Sequence, residues 1–188
     1  MSMLKPSFNI KYDHFYGYPA SDIELVQYGD FQCRDCVKVY SDIKLLQDIM
    51  GHKLKFVFRH FPRPNVNPLS LEAAIAAETA SLQDKFWYMH DILYENHGSF
   101  TRSALVQFAK DIELDMLLYE LQREDKKVFR KVIGDFESGV KSGVNITPAF
   151  FINGMRYNGP NDFDSLYSTC KLICAENRNN NNFLNSKS

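Results

Sequence analysis

The feature that most constrains this chain is a pair of cysteines, Cys33 and Cys36, placed where an apolar run ends and a long amphipathic segment begins. Residues 23–28 are rich in large apolar side chains and predict a strand. Apolar positions from Cys33 to Met50 follow helical spacing, and Gly51 is typical of a helix end. The free N–H groups and the dipole of a helix start favour a thiolate at Cys33. Cys36, one turn further on, is close enough to attack a mixed disulfide formed on Cys33. The spacing therefore predicts a dithiol redox site.

A second strand is predicted over residues 53–61, which alternate between charged or polar and apolar side chains before becoming mostly apolar. Pro62 and Pro64 end this strand. The order strand, helix, strand with a short crossover predicts a parallel, right-handed unit. Residues 1–20 are mixed and aromatic, and are compatible with either an arm or an edge strand.

The middle of the chain, residues 66–138, is predicted to be helical because no strand pattern interrupts it. Asn67 is the expected N-cap of its first helix, with Pro68 at the first helical position, and Ser99 or Thr101 is the expected cap of a later one. Strand character returns at residues 148–152.

A β-hairpin and a helix are expected to complete the chain. The dipeptide Asn153-Gly154 predicts the hairpin turn. Asp162 is the expected cap of a last helix that runs to Ala175. The asparagine-rich stretch 177–188 is too polar to bury much surface, so a disordered tail is expected there.

Composition sets limits on the class of protein. A length of 188 residues suits a single domain, 1–188, and 45% apolar residues with 15 Phe and 10 Tyr can supply a core. A net charge of −1 gives no electrostatic footprint for nucleic acid or for an anionic membrane. Four cysteines are too few for a disulfide-stapled secreted scaffold. The chain has no run long enough to insert into a bilayer and no apolar signal segment, so we expect a cytoplasmic protein, or a periplasmic one if a signal peptide has been removed.

Several separate stretches resemble the DsbA-like branch of the thioredoxin superfamily. The cysteine pair alone is a weak signal, but its combination with Thr147-Pro148 just before a predicted hairpin is specific. Together the matching stretches cover roughly residues 20 to 168. They are 25–33 with Cys36, 54–62, 73–80, 85–91 and 142–154.

The resemblance implies an α/β thioredoxin fold, with core segments 20–62 and 143–175 interrupted by a helical insertion at 66–138. It implies a thiol–disulfide oxidoreductase that exchanges disulfides with protein substrates through the Cys33-Cys36 pair. It also implies that Pro148 is a cis-proline facing the cysteines, and that the backbone of Thr147 pairs with an extended substrate peptide.

The partners implied by the resemblance are protein thiols or disulfides and a second protein that recycles the site. No cofactor, metal, nucleic acid or membrane insertion is expected.

Three residues depart from the pattern common in this family. Arg34 and Asp35 stand between the cysteines, where many relatives carry proline followed by an aromatic residue or histidine. Their charges should act on the thiolate in opposite directions, so they predict no net shift of its pKa. We expect a less oxidising protein than the periplasmic oxidants of the family, because no cationic histidine stands beside the thiol. Gln27 stands where many thioredoxin-like proteins have a buried carboxylate, and it cannot ionise. Water, Glu24 or Asp30 would have to take over proton transfer to Cys36.

Other functions compatible with the same fold stay open at this point. A kappa-type glutathione transferase or isomerase would need one catalytic Ser or Cys, and Cys36 argues against it. A non-enzymatic binding module would leave both cysteines incidental. Cys170 and Cys174, one helical turn apart, are expected to be core or partly exposed cysteines without function. The alternatives are an accessory redox pair, against which the poor i,i+4 disulfide geometry argues, and a zinc site shared with Cys33 and Cys36, whose spacing is not a usual zinc pattern. His60 and His90 are expected to be packing or surface residues.

Overall fold

The structure, a computed structural model, describes residues 2–97 and 101–185. The strands lie towards the two ends of the chain, and a block of helices separates the third strand from the fourth. The strands are β1 (His14–Gly17), β2 (Ile23–Gly29), β3 (Leu54–His60), β4 (Ala149–Ile152) and β5 (Met155–Arg156). The helices are α1 (Arg34–Met50), α2 (Ser70–Ser81), α3 (Phe86–Glu95), α4 (Arg102–Asp111), α5 (Met116–Gln122), α6 (Lys126–Lys141) and α7 (Phe163–Asn185).

The described strands form one five-stranded sheet in the order β1-β3-β2-β4-β5. Strands β2 and β3 are parallel, which confirms the pairing predicted from the short crossover through α1. The other neighbours are antiparallel, and β1 lies at the edge beside β3. Strand β2 is therefore central, and its carboxyl end delivers the chain to the cysteine pair.

Hydrophobic clusters cover both faces of the sheet, because successive side chains of a strand point to opposite sides. On one face, Leu25 belongs to a large cluster that also contains Phe31 and Cys36. On the other face, Val26 and Tyr28 belong to a smaller cluster packed beside Phe136 of α6. The cysteine pair thus lies at the margin of the larger core.

The hairpin forms as the sequence predicts. Asn153 and Gly154 both have positive φ, 47° and 79°, which an Asn-Gly pair tolerates better than most residues. Thr101 is the N-cap of α4 and accepts a hydrogen bond from the backbone N–H of Ala104 at 3.0 Å. Ser99, the alternative predicted cap, lies outside the described residues.

Two predicted boundaries are wrong. Helix α2 begins at Ser70 with Leu69 at its N-cap, so Asn67 does not cap it. Helix α7 continues to Asn185, so the predicted disordered tail from Asn177 is helical over most of its length, and residues 186–188 lie outside the described residues. Helical propagation adds one backbone hydrogen bond per residue, and asparagine opposes it only weakly.

The helices between β3 and β4 occupy the region predicted to be an insertion, with no strand among the described residues of that region. None of the described helices combines the length and the apolar character needed to cross a membrane.

Candidate active site

The two cysteines differ sharply in their exposure to solvent. Cys33 is the N-cap of α1 and is partly exposed, whereas Cys36, one turn into the helix, is 0% exposed. The backbone fixes this turn, because the Cys33 N–H donates to the Asp30 carbonyl at 3.0 Å and the Cys33 carbonyl accepts from Val37 at 3.1 Å. Both cysteines are free thiols. An outside molecule can therefore reach Cys33 but not Cys36.

The segment before β4 lies directly against the first thiol. The Thr147–Pro148 peptide bond is cis, as the sequence resemblance implies. The thiol of Cys33 donates to the backbone carbonyl of Thr147, with 3.3 Å between sulfur and oxygen. The Thr147 hydroxyl is buried and makes no hydrogen bond of standard geometry with the described residues, but it interacts with the thiols of both cysteines. Cys33, Thr147 and Pro148, far apart in sequence, thus meet at one point of the surface.

Hydrogen bonds make Cys33 a stronger acid than an ordinary cysteine. The hydrogen bond from the Cys36 side chain is the main cause that lowers the pKa of Cys33 to about 6, against the opposing effect of burial. Thr147 and the backbone N–H groups at the start of α1 lower it further. At neutral pH the Cys33 thiolate predominates, which is the form that attacks disulfides.

Cys36 behaves in the opposite way. Burial raises its pKa well above the ordinary value, and the neighbouring Cys33 raises it further. Two titratable groups whose environments push their pKa values apart take different roles in a reaction. Cys33 is suited to be the nucleophile, and Cys36 to hold a proton until a later step.

The two residues between the cysteines have little part in this contrast. Arg34 and Asp35 are exposed, and the Asp35 carboxylate accepts from Lys38 Nζ at 2.8 Å. The main causes of the Cys33 pKa are hydrogen bonds and burial, rather than the opposing charges expected from the sequence. Exposed charges are screened by solvent and contribute little.

Of the two carboxylates considered as replacements at Gln27, only Asp30 lies near the cysteines. Glu24, at the far end of β2, is paired with Lys55 Nζ at 3.0 Å. Asp30 is buried, and burial is the main cause that raises its pKa. Its oxygens accept from the Asn67 side chain at 2.8 Å and from the backbone N–H groups of Gln32 and Arg63.

These contacts explain why Asn67 does not cap α2. Its side-chain amide is used to hold the loop after β3 against the turn that precedes Cys33. Asp30 is thus a structural link between two loops of the site as well as a buried acid.

Tyr94 and His90 of α3 are part of the site that sequence reasoning missed. Both are buried, and the rings of both pack against Phe31, two residues before Cys33. After burial, the nearby Cys36 is the main cause that raises the pKa of the Tyr94 hydroxyl. Their i,i+4 spacing places them on one helix face, which is the only signal that the sequence holds. Nothing in a single sequence says that this face meets the cysteines.

One group of described side chains has the composition of a metal site. His60, Glu78 and Asp135 are buried, and their ligand atoms lie within 4.8 Å of one another. Lys131 Nζ lies 2.7 Å from Asp135 and 3.5 Å from Glu78. The ammonium group already compensates the carboxylate charge, so we interpret the cluster as an internal ion network.

A sheet with this strand order, a dithiol at the start of α1 and a cis-proline against it define the thioredoxin class of folds. The family model described as thioredoxin matches residues 9–171, and the chain belongs to that family.

Solved structures with DsbA-type names share the fold. The thiol-disulfide exchange protein alpha-DsbA2 from Wolbachia pipientis superposes with a TM-score of 0.78 at 23% identity, over 88% of this chain and 89% of that chain. Oxidised BdbD from Bacillus subtilis superposes with a TM-score of 0.79 at 22% identity, over 92% of this chain and 98% of that chain. These similarities show that the chain has the same overall fold.

This chain is also similar in sequence to part of several proteins that are named as antiporters. The Na(+)/H(+) antiporter NhaA 1 of Mycolicibacterium gilvum is 32% identical over 168 residues, which are 88% of this chain and 27% of the antiporter. The chain spans about a quarter of the length of the curated relatives it matches.

Proposed function

We propose that this protein is a thiol–disulfide oxidoreductase that exchanges disulfides with protein substrates through Cys33 and Cys36. The observation that carries the proposal is the contrast between the two thiols. Cys33 is reachable and has a pKa of about 6, while Cys36 is buried directly behind it with a pKa raised well above the ordinary value. An attacking thiolate backed by a protected second thiol is what dithiol exchange requires.

In the reducing direction, the Cys33 thiolate attacks a substrate disulfide and forms a mixed disulfide, releasing one substrate sulfur as a thiolate. Cys36 then loses its proton and attacks Cys33, which releases the second substrate sulfur and leaves a Cys33–Cys36 disulfide. In the oxidising direction the same steps run in reverse, starting from a substrate thiolate. The direction depends on the potential of the site relative to its compartment and its recycling partner.

The surface around Cys33 fits an extended peptide. The backbone of Thr147 lies beside the sulfur, as strand addition by a peptide requires. Ile146 is 55% exposed, and Val66 is 61% exposed on the loop that Asp30 holds beside the site. These apolar side chains favour substrate segments with apolar residues next to the reactive cysteine.

The proposal is tested by trapping with Cys36→Ser. That variant should hold mixed disulfides with substrate proteins on Cys33, visible as adducts that disappear on reduction. Cys33→Ser is the matched control and should hold none. If Cys36→Ser forms no adduct with any protein of a cell lysate, the proposed exchange with protein substrates is wrong. Glutathione binding that survives Cys36→Ser would instead favour the kappa-type transferase chemistry.

A further inference from the structure

Exchange through Cys36 requires a route for its proton, because this thiol is buried and its pKa is high. Gln27, on β2, is buried and cannot accept or release a proton. Gln27 instead lines a cavity of about 50 Å³ between the sheet, α1 and α3. Tyr94 and His90 line the same cavity. The lining is mostly apolar, but the polar atoms of Gln27, Tyr94 and His90 and a volume of about 50 Å³ give a single water room and partners.

Two polar atoms at this cavity are unusual because they are buried without a well-formed hydrogen bond. The Tyr94 hydroxyl oxygen and His90 Nε2 make no hydrogen bond of standard geometry with any described residue, although the Tyr94 hydroxyl interacts with the Cys36 side chain. An orphaned buried polar atom costs free energy, so its retention calls for an explanation. Both belong to α3, four residues apart on one face, and their rings lie 5.0 Å apart.

The His90 ring is neutral, and its Nε2 can accept a proton. Its Nδ1 lies 2.9 Å from Asp91 Oδ1, and the carboxylate accepts the Nδ1 proton, which leaves Nε2 with a free lone pair. Asp91 Oδ2 accepts in turn from Lys44 Nζ at 2.8 Å. Burial lowers the pKa of His90, against the effect of Asp91, with Lys44 and His60 lowering it further. The ring is therefore neutral at neutral pH.

Burial excludes bulk water from Cys36, and the hydroxyls of Tyr94 and Thr147 both lie near it. Only Tyr94 also lines the cavity that His90 lines. The nearby groups that raise the pKa of Tyr94 are Cys36, Asp30 and Cys33. The Tyr94 oxygen also lies beside Gly29, where an added Cβ would meet it at 2.8 Å. Gly29 therefore leaves room for both the Phe58 ring and the Tyr94 hydroxyl at the end of β2.

We propose that Tyr94 and the His90–Asp91 dyad form a proton relay for Cys36, taking the place of the carboxylate that Gln27 does not supply. This inference rests on the proposed dithiol exchange and assigns the group that makes its second step possible. Asp30 serves mainly as the link between loops, since its oxygens are already engaged by three donors.

In the second step of exchange, Cys36 gives its proton to the Tyr94 oxygen while the Tyr94 proton passes to His90 Nε2 through a water in the cavity. The electron pair left on the Cys36 sulfur forms the S–S bond with Cys33. The bond between Cys33 and the substrate sulfur breaks, and the substrate leaves as a thiolate with that electron pair. His90 then releases its proton to solvent on the side where Asp91 and the half-exposed Lys44 reach the surface. In the reverse reaction Cys36 leaves as a thiolate and regains its proton from His90.

The test uses a nitrobenzoate disulfide as the substrate. It releases one coloured thiolate at each of the two steps, so attack and resolution are measured separately. The first release reports attack by Cys33, and the second reports resolution by Cys36. In Tyr94→Phe the first release should keep its wild-type rate, while the second should slow about 10-fold or more. The pH profile of the second release should lose the inflection that His90 gives it in the wild type.

Tyr119→Phe is the matched control, because it removes another buried tyrosine hydroxyl, in α5. Both of its releases should match the wild type. Asp91→Asn keeps the aromatic packing and should slow only the second release, so it carries the test if Tyr94→Phe does not fold.

The outcomes distinguish this inference from the proposed function. A wild-type second release with an unchanged pH profile in both Tyr94→Phe and Asp91→Asn overturns the relay and leaves dithiol exchange standing. No first release in the wild type overturns dithiol exchange, and the relay with it. A slower first release in Tyr94→Phe would show a general disturbance of the site and would also overturn the relay.

Discussion

At the scale of single residues, the chemistry depends on two cysteine thiols whose different surroundings give them different pKa values. Cys33 receives hydrogen bonds at the start of a helix, and Cys36 is enclosed by the core. The thiol of Cys36 is itself the main donor to the Cys33 thiolate. The acidity of the nucleophile is therefore a property of the pair.

Replacing Cys36 should consequently change the titration of Cys33. In Cys36→Ala the pKa of Cys33 should rise from about 6 toward the ordinary value of 9.0, because the main stabilising hydrogen bond is gone. The measurement is the pH dependence of Cys33 alkylation by iodoacetamide. The wild-type rate should level off above about pH 7, whereas the variant should continue to gain rate at higher pH. Cys170→Ala, in α7, is the control and should titrate as the wild type; an unchanged midpoint in Cys36→Ala would contradict the assigned cause.

At the scale of elements, a buried ion network joins the helical insertion to the sheet. Glu78 of α2 bonds to His14 and His60 at 2.9 Å each, and Lys131 of α6 lies 3.5 Å away. Asp135 of α6 accepts from the His60 backbone N–H at 3.1 Å. The network lies where α2, α6 and β3 meet, and it fixes the insertion on the thioredoxin core.

Glu78→Gln should destabilise the protein by about 3 kcal/mol, because it leaves buried cationic and polar partners without their carboxylate. Burial alone would raise the pKa of Glu78, but Lys131 and the two histidines lower it well below the ordinary 4.5. A group whose pKa is lowered on folding stabilises the protein above its unfolded pKa. The gap between wild type and variant should thus be full above about pH 4.5 and shrink as the pH falls below that value.

Urea unfolding at several pH values measures this gap. Glu72→Gln is the control from the same helix, since its partner Arg102 is 80% exposed and such pairs contribute under about 1 kcal/mol. Equal losses for the two variants would show that the buried network has no special part in stability.

At the scale of the whole molecule, the redox potential reports how much the fold favours the reduced site. A Cys33 pKa of about 6 lies between the values of about 7 in thioredoxin and about 3.5 in the strong oxidant DsbA. A stabilised thiolate makes the disulfide more oxidising. We therefore expect a potential between about −270 and −120 mV, the values for those two proteins.

Equilibration with glutathione redox buffers measures this potential. The single tryptophan, Trp87, provides a fluorescence signal, because its ring lies 5.1 Å from His90 and lines the cavity that Tyr94 lines. Cys33→Ser should show no transition over the same buffers. A potential at or above −120 mV would contradict the expectation of a less oxidising protein.

The sequence by itself determined the features that depend on local patterns or on a specific motif. The strand, helix, strand order around Cys33 and Cys36 follows from hydrophobic periodicity, and parallel pairing follows from a short crossover. The turn at Asn153-Gly154 follows from the left-handed backbone that these residues tolerate. The cis bond before Pro148 was implied by resemblance to a family rather than by any local property of the chain.

Only the tertiary structure decided which polar groups meet. Asn67 has the chemistry of an N-cap, but the carboxylate of Asp30 competes for its amide, and nothing local predicts that competitor. Arg34 and Asp35 are the charges nearest to Cys33 in sequence, yet hydrogen bonds from Cys36 and Thr147 set its acidity. Tyr94 and His90 lie far along the chain from Cys36, and the packing of α3 against the core brings them to it. Burial and long-range proximity decide protonation, and both exist only once the chain has folded.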